Sequence, residues 1–401
     1  MERRDPAPGR HTPRYSVDRR FLLVTLVVTA VILHGSLYPY DFRPQPGSDG
    51  PIATLLESWH APRDSFGEMV ANVLLYMPFG FFAVLALRIP LRLPLVILLG
   101  LALCTSIELA QYYDTSRITS LMDICLNTTG TVLGAIAGVI VRIPSLAPVF
   151  RLRSLRPVPL LLLAAMLGYH LYPYVPTIDV HKYWHALKPL WLNPFAGPRV
   201  VFHYFALWLT ISFLVSDALG RPRWSWFFVL SLAAFVFVAK VLIVDQSVSL
   251  AELAGGLAAI ILWLAVLERM RWGAAIVAVV LCALVIMLRL EPFVFRAIPG
   301  QFGWLPFRSF LGGAIGVNVQ SFFEKSFLYG GLVWIAGRAG LDLRIATAAV
   351  AAIVLATSVV EIYLPGRSAE ITDAIVTILM VAIFIAITGT KVSRAPLAAR
   401  L

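Results

Sequence analysis

The sequence predicts an all-helical (all-α) integral membrane protein with about twelve transmembrane helices. Of its 401 residues, 59% are hydrophobic and only 14% are charged, whereas soluble domains average about 45–50% apolar and about 25% charged residues. The apolar residues lie in runs of about 20, the length that an α-helix needs to cross the hydrocarbon core of a bilayer. Membrane-spanning β-strands would be about half as long and would alternate in polarity.

The apolar runs follow one another along the chain and are separated by polar turns. They lie at 21–38, 69–88, 93–113, 121–141, 158–174, 200–217, 225–244, 249–267, 273–289, 321–337, 344–364 and 371–389. Residues 1–20 contain six arginines with proline and glycine, which predicts a basic cytoplasmic tail. The first run is long for the apolar part of a signal peptide, and no small-residue cleavage site follows it, so we expect a retained helix.

The distribution of lysine and arginine predicts the orientation of these helices. When the N-terminus is placed in the cytoplasm, each inner turn contains at least two basic residues, such as Arg88 with Arg92 and Arg269 with Arg271. Cytoplasmic loops of membrane proteins carry this excess of positive charge. We therefore expect a multi-pass protein of the inner (plasma) membrane, with both termini cytoplasmic and the turn 113–120 outside.

Three related motifs predict an internal repeat. The sequence reads LYPYDF at 37–42, LYPYVP at 171–176 and LEPFVF at 290–295, and three further apolar runs follow each motif. We therefore expect three tandem four-helix units, which keep the same orientation because four is an even number. The expected divisions are a tail at 1–20, segment 1 at 21–142, a basic cytoplasmic linker at 143–157, segment 2 at 158–270, segment 3 at 271–389 and a cytoplasmic tail at 390–401.

The third and fourth apolar runs carry a cluster of polar residues where they meet at the outer turn. Ionisable groups are costly in hydrocarbon and usually mark a paired, inward-facing site. Helical spacing places Glu108 near Gln111 and Asp123 near Asn127, each pair on one helix face. Arg117 lies in the turn between them, where it either neutralises the two carboxylates structurally or binds an anionic group. The candidate binding residues are Asn72, Glu108, Gln111, Arg117, Asp123 and Asn127.

A second possible site lies in segment 3, where Glu361, Arg367 and Asp373 surround a similar turn. The six residues from Arg367 to Asp373 repeat the spacing from Arg117 to Asp123. Two isolated lysines also need acidic partners within apolar runs. We expect Lys240 to pair with Glu252 or Asp245. Lys325, which lies near the end of its run, either pairs with Glu324, Asp373 or Glu361 or extends to the membrane interface.

Several other classes of protein are disfavoured. The three cysteines all lie in apolar runs without metal-ligand spacing, so no metal site is expected. The net charge of +11 follows from topology and does not indicate nucleic-acid binding. No nucleophile triad, phosphate-binding loop or HExxH motif is present, and we expect no cofactor.

The segment 1 pattern is that of a known family. It reads N-x5-P-x-G from Asn72, followed by E-x2-Q-x5-R-x5-D-x3-N-x2-G from Glu108 to Gly130. Residues 68–142 therefore resemble the VanZ-like membrane proteins, and 321–389 resemble a degenerate copy in which Thr377 replaces Asn127. The resemblance implies a cell-envelope protein linked to antibiotic resistance, specifically to reduced susceptibility to teicoplanin, a lipid-tailed glycopeptide. It implies no established reaction.

These observations lead to three hypotheses of function. The first is a binding protein for an anionic, lipid-linked or lipid-tailed molecule at the outer leaflet. Its partner would be a membrane lipid or a lipid-linked cell-wall precursor, with Arg117 facing the anion. The second is a membrane enzyme acting on an envelope lipid, with Glu108 or Asp123 as general base. The third is a transporter coupled to protons through buried carboxylates. The missing nucleophile and metal set favour binding over catalysis.

Overall fold

The computed structural model describes most of the chain in two compact units, 1–152 and 153–401, called here the N-terminal and C-terminal units. The described residues are 16–38, 40–43, 50–60, 66–115, 117–141, 156–192, 197–221, 224–312 and 315–388. The expected tails and linker lie mainly outside them.

Four long helices form the N-terminal unit. Its helices are α1 Arg19–Leu37, α2 Pro51–Glu57, α3 Phe66–Ala86, α4 Arg92–Gln111 and α5 Leu121–Val141. A single 3₁₀ turn at Ser58–His60 follows α2. Two-residue strands, β1 Ser16–Val17 and β2 Leu87–Arg88, pair antiparallel and tie the start of α1 to the end of α3.

Helices α3 and α5 pack backbone to backbone through glycines. A Cβ atom placed on Gly130 would lie 2.1 Å from the carbonyl oxygen of Val73, and one on Gly134 would lie 2.0 Å from that of Met77. No side chain fits at such distances, so glycine is required at both positions. Small residues at this spacing let membrane helices approach closely, and this contact brings the polar residues of α3 and α5 together.

The C-terminal unit contains eleven helices within its described residues. They are α6 Pro157–His170, α7 Val180–Leu187, α8 Pro189–Leu192, α9 Pro198–Ala218, α10 Ser225–Leu242, α11 Leu250–Leu262, α12 Gly273–Leu290, α13 Arg308–Gly312, α14 Ile315–Arg338, α15 Leu343–Glu361 and α16 Thr372–Thr388. A π-helical turn, Trp263–Leu267, extends α11. Trp208, Phe213 and Phe327 are fully buried in its core.

The chain is a multi-pass helical membrane protein. Among the described residues, eight helices are long and apolar enough to cross a membrane, and three apolar helices are shorter. Each of the twelve predicted runs overlaps a helix, although α14 is too polar to count by composition and α3, α6 and α16 count among the shorter ones. The count of twelve crossings and the cytoplasmic termini therefore remain predictions.

The same backbone turn follows the first helix of each predicted segment. The amide of Tyr40 donates to the carbonyl of Leu37 over 2.8 Å, and Tyr174 and Phe293 donate in the same way to Leu171 and Leu290. All three donors have positive φ, at 67°, 62° and 61°. Pro39 of the first motif lies outside the described residues.

The chain after each turn then bonds to the end of a later helix. The amides six residues beyond the three leucines donate to main-chain carbonyls over 2.7–2.8 Å. These pairs are Arg43 with Tyr113, Thr177 with Leu242, and Arg296 with Tyr363. The recurrence gives a register in which residues of the three segments can be compared position by position.

Candidate functional site

Helices α3, α4 and α5 bring the predicted polar residues of segment 1 together at one end of the N-terminal unit. The amide of Asn72 donates to Asp123 Oδ1 over 2.8 Å. Glu108 is 2% exposed, and its Oε2 accepts from the backbone amide of Ser120 over 2.8 Å. The Ser120 hydroxyl also accepts from the backbone amide of Asp123 over 3.2 Å and so caps the start of α5.

Arg117 and Gln111 bind the end of α1. The Arg117 guanidinium donates to the carbonyl of Tyr38 over 2.9 and 3.0 Å and to that of Gly35 over 3.2 Å. Gln111 donates to the carbonyl of Ser36 over 2.7 Å. Among the described residues, no ion pair joins Arg117 to Glu108 or Asp123, so the expected neutralisation of both carboxylates by Arg117 is wrong. Its role is to satisfy the last carbonyls of α1.

Two buried polar atoms of this cluster have no hydrogen-bond partner among the described residues. They are the hydroxyl of Tyr76, which is fully buried, and Oδ1 of Asn127, which is 6% exposed. Tyr76 lies one helical turn after Asn72, whose side-chain amide donates to Asp123. Tyr76 is not among the candidate residues that the sequence predicted. Its spacing of four from Asn72 was the available signal.

The corresponding cluster in segment 3 is organised by Arg289, which the sequence reasoning missed. Arg289 is 6% exposed on α12, and its guanidinium pairs with Asp373 and, over 2.9 Å, with Glu361. It also donates to the hydroxyls of Tyr329, Thr357 and Ser358. A charged residue in an apolar run was a usable signal, but Arg289 was taken as the boundary of its helix.

The expected trio of Glu361, Arg367 and Asp373 does not come together. Arg367 is exposed and donates to the carbonyls of Glu291 and Leu288, which end α12. Arg367 therefore repeats the contact of Arg117. Arg289 makes the ion pairs that were expected of Arg367. The predicted pairing of Lys325 is confirmed with Asp373, over 2.6 Å.

The turn register also corrects one correspondence between segments. Glu361 lies 12 residues before Asp373, and Gln111 lies 12 residues before Asp123. The amides of Asp114 and Leu364 donate to the carbonyls of Gln111 and Glu361 respectively. Glu361 therefore stands where Gln111 stands, and Ser358 stands where Glu108 stands.

Segment 2 contains a third buried cluster. Lys240 pairs with Glu252 over 2.7 Å, which confirms one of the two expected partners, and His170 Nε2 lies 3.4 Å from the other oxygen of Glu252. Glu252 is fully buried. Gln246 donates to the carbonyl of Tyr172, the contact that Arg117 and Arg367 make in their segments.

The chemistry available in these clusters is ionic and hydrogen-bonding. No group of three or more histidine, cysteine, aspartate or glutamate residues suited to a metal ion occurs in the described part of the chain. In segment 1 the side chains offer mainly acceptor oxygens, from two carboxylates, an amide and a hydroxyl. Such a set can accept hydrogen bonds from the N–H or O–H groups of a ligand.

The fold and these clusters define a multi-pass helical membrane protein with buried polar sites. Residues 21–142 match the model of the VanZ/LLP1 family. This part of the chain is therefore similar to the VanZ/LLP1 family, and further sequence extends beyond it. No curated protein and no solved structure matches the chain.

Proposed function

We propose that the protein binds the headgroup of a lipid-linked or lipid-tailed molecule at the outer leaflet of the inner (plasma) membrane. The observation that carries the proposal is the buried polar cluster of segment 1, in which Tyr76 and Asn127 retain unpartnered atoms among the described residues. Buried polar groups are almost always hydrogen-bonded, so a ligand is the natural partner. The VanZ/LLP1 match supports a VanZ-like membrane protein, and the proposal extends this to an envelope role with a link to teicoplanin-type glycopeptides.

The arrangement assigns each residue a part in this binding. Asn72, Glu108, Asp123 and Asn127 would surround the headgroup, and Gln111 joins the cluster to the end of α1. Arg117 contributes positive charge at the mouth while Nε and Nη2 remain on carbonyls, and it attracts an anionic group of the ligand.

A susceptibility assay tests this proposal. A host strain lacking the gene is complemented with wild type, Asp123→Asn or Asn127→Leu and exposed to lipid-tailed and tail-less glycopeptides. Gly337→Ala serves as the matched control, because no atom lies within 4 Å of the added methyl group. We expect both pocket variants, at wild-type membrane levels, to lose protection against the tailed drug alone. Full protection by both variants would contradict the proposal.

The same proposal includes a membrane topology. We infer twelve crossings in three tandem four-helix segments with both termini cytoplasmic, and the three recurrent turns support it. Phosphatase and fluorescent-protein fusions after Arg221 and after Asp245 test this topology, because these positions lie at opposite ends of α10. Fluorescence at the first position and phosphatase activity at the second are expected. The reverse pattern would show that the helices have the opposite orientation and would contradict the proposed topology.

Proton-coupled transport is the second candidate, favoured by the buried Lys240, Glu252 and His170 of segment 2. Titratable groups buried in a membrane are often proton carriers. Purified protein in vesicles containing a pH-sensitive dye would acidify or alkalinise the lumen during transport. Identical traces for wild type and Glu252→Gln would remove this candidate.

A further inference from the structure

Three arginines of the C-terminal unit lie together where α6 begins and where α9 and α14 end. Arg156 directly precedes α6, Arg221 lies in the turn after α9, and Arg338 is the last residue of α14. All three belong to turns that the distribution of basic residues predicts to be cytoplasmic. That distribution requires positive charge on this side of the membrane, but it does not require arginines from three separate turns to meet.

The buried carboxylate of Asp217 holds two of these arginines. The guanidinium of Arg156 pairs with Asp217 Oδ1, and Nε of Arg338 lies 3.1 Å from the same oxygen. The other oxygen, Oδ2, accepts from the indole N–H of Trp334 over 3.0 Å. Asp217 is 0% exposed, whereas the side chains of Arg156 and Arg338 are 40% and 31% exposed. One carboxylate therefore faces two positive charges, and both arginine side chains remain partly accessible.

Arg221 adds a third positive charge without a carboxylate. Its φ is 59°, and its backbone amide donates to the carbonyl of Ser216 over 2.7 Å, which holds the residue against the end of α9. Its guanidinium carbon lies 5.8 Å from the ring centre of Phe213 and 5.9 Å from that of Trp263, so the side chain folds back over the helix end. Within the described part of the chain, this guanidinium has no hydrogen bond or ion pair.

Acidic residues in the neighbouring turns are bonded to other groups. Glu268 accepts from the hydroxyl of Ser225 over 2.7 Å, and Asp342 accepts from the backbone amide of Arg344 over 2.8 Å. Neither carboxylate forms an ion pair with the three arginines in the described ranges. The cluster therefore contains three positive charges and one negative charge, an excess of two. Charge at the edge of the hydrocarbon is costly unless it is paired, so an anion is the expected partner.

We propose that Arg156, Arg221 and Arg338 bind the phosphate group of an anionic phospholipid. A guanidinium presents a planar fork of N–H donors that matches two oxygens of one phosphate. Basic sites between helices on the cytoplasmic side of membrane proteins bind phosphate-containing lipid headgroups in this way. The site lies in the C-terminal unit and goes beyond the proposed function, which concerns segment 1.

Lipid retention tests this site. The full-length protein is equilibrated in micelles containing equal amounts of phosphatidylglycerol and phosphatidylcholine and washed, and the retained lipids are counted by mass spectrometry. Phosphatidylcholine also has a phosphate group, but its own trimethylammonium group neutralises it. We expect about a tenfold preference for phosphatidylglycerol, the difference that one charge-assisted hydrogen bond supplies.

A second wash distinguishes lipid-bound phosphate from soluble phosphate. Excess inorganic phosphate is compared with chloride at the same ionic strength. Release of phosphatidylglycerol by phosphate alone would show that the headgroup chemistry is sufficient for binding. Retention in both washes would show that the acyl chains contribute as well. Both results support a phosphate site.

Two variants locate the preference in the cluster. Arg221→Gln removes a guanidinium that has no ion pair among the described residues, so it leaves no buried charge without a partner. Arg338→Gln leaves Asp217 paired with Arg156. We expect each variant to lower the preference to near parity. Arg344→Gln is the matched control, because it removes an exposed arginine from the same side of the unit, and it should retain the preference of wild type.

Two results would overturn the phosphate site. The first is equal retention of both lipids by wild type. The second is a wild-type preference in both Arg221→Gln and Arg338→Gln, which would show that the arginines only hold the ends of α6, α9 and α14 together. Neither result concerns the polar cluster of segment 1, so the glycopeptide susceptibility assay tests the proposed function separately.

Discussion

Replacement of Arg289 by methionine is expected to destabilise the C-terminal unit severely. The side chain is 6% exposed and bridges two carboxylates, those of Asp373 and Glu361, which are 7% and 5% exposed. Removing one partner of a buried ion pair leaves a buried charge and costs about 3–5 kcal/mol. Lys325 still reaches Asp373, so the uncompensated group is mainly Glu361. We therefore expect the free energy of unfolding to fall by about 3 kcal/mol, near the lower end of this range.

The loss can be measured by equilibrium unfolding in mixed micelles with increasing sodium dodecyl sulfate, followed by tryptophan fluorescence. Arg344→Met is the matched control, because Arg344 is exposed, its backbone amide donates to Asp342, and its side chain has no hydrogen bond or ion pair among the described residues. Surface substitutions of this kind change stability by about 0.5 kcal/mol or less. The double variant Arg289→Met with Glu361→Gln should recover part of the loss, because it removes the stranded charge.

The reasoning would be refuted if Arg289→Met and Arg344→Met unfolded at the same detergent fraction. It would also be refuted if the double variant were less stable than Arg289→Met alone. In either case Arg289 would not organise the cluster of segment 3.

Three further predictions follow from the contacts of the other segments. Arg117→Ala should lower the stability of the N-terminal unit by about 1–3 kcal/mol, since its charge-assisted bonds to the end of α1 are lost, and a wild-type unfolding midpoint would contradict this. Gly134→Val should lower the stability of the N-terminal unit by about 3 kcal/mol or more, because its Cβ would clash with the Met77 carbonyl. Its abundance in the membrane should therefore be lower than that of Gly337→Ala. Lys240→Met should lower the free energy of unfolding by about 3–5 kcal/mol, because it removes the ion-pair partner of the buried Glu252. The same unfolding assay should show that adding Glu252→Gln restores part of this loss, and no recovery would contradict the reasoning.

The helices could be predicted because hydrophobic length and periodicity determine them locally. The run predicted at 121–141 is α5, Leu121–Val141, and the run at 225–244 is α10, Ser225–Leu242. The close approach of α3 and α5 at Gly130 and Gly134 also has a short-range sequence signature, because small residues four apart lie on one helix face. The pairing of Lys240 with Glu252 followed from the cost of an isolated charge in hydrocarbon.

The partners of the arginines could not be predicted from spacing alone. Arg117 and Arg367 lie between acidic residues in the sequence, yet both guanidinium groups bind carbonyls at the end of an earlier helix. Arg289 lies 72 residues before Glu361 and 84 before Asp373, and only the packing of α12 against its neighbours brings them together. Contacts at such separations depend on tertiary structure, which helix periodicity does not encode.

The proposed binding site is tested most directly by photo-cross-linking in cells. A photoreactive amino acid at Ser36 lies beside the polar cluster, because the Ser36 carbonyl accepts from Gln111, and the same amino acid at Leu98, a 61% exposed position on α4, samples bulk lipid. We predict that Ser36 captures one lipid-tailed species that Leu98 does not enrich, and that Ser36 loses it when Asn127→Leu is added. Identical products at the two positions would contradict the proposal that segment 1 contains a ligand site.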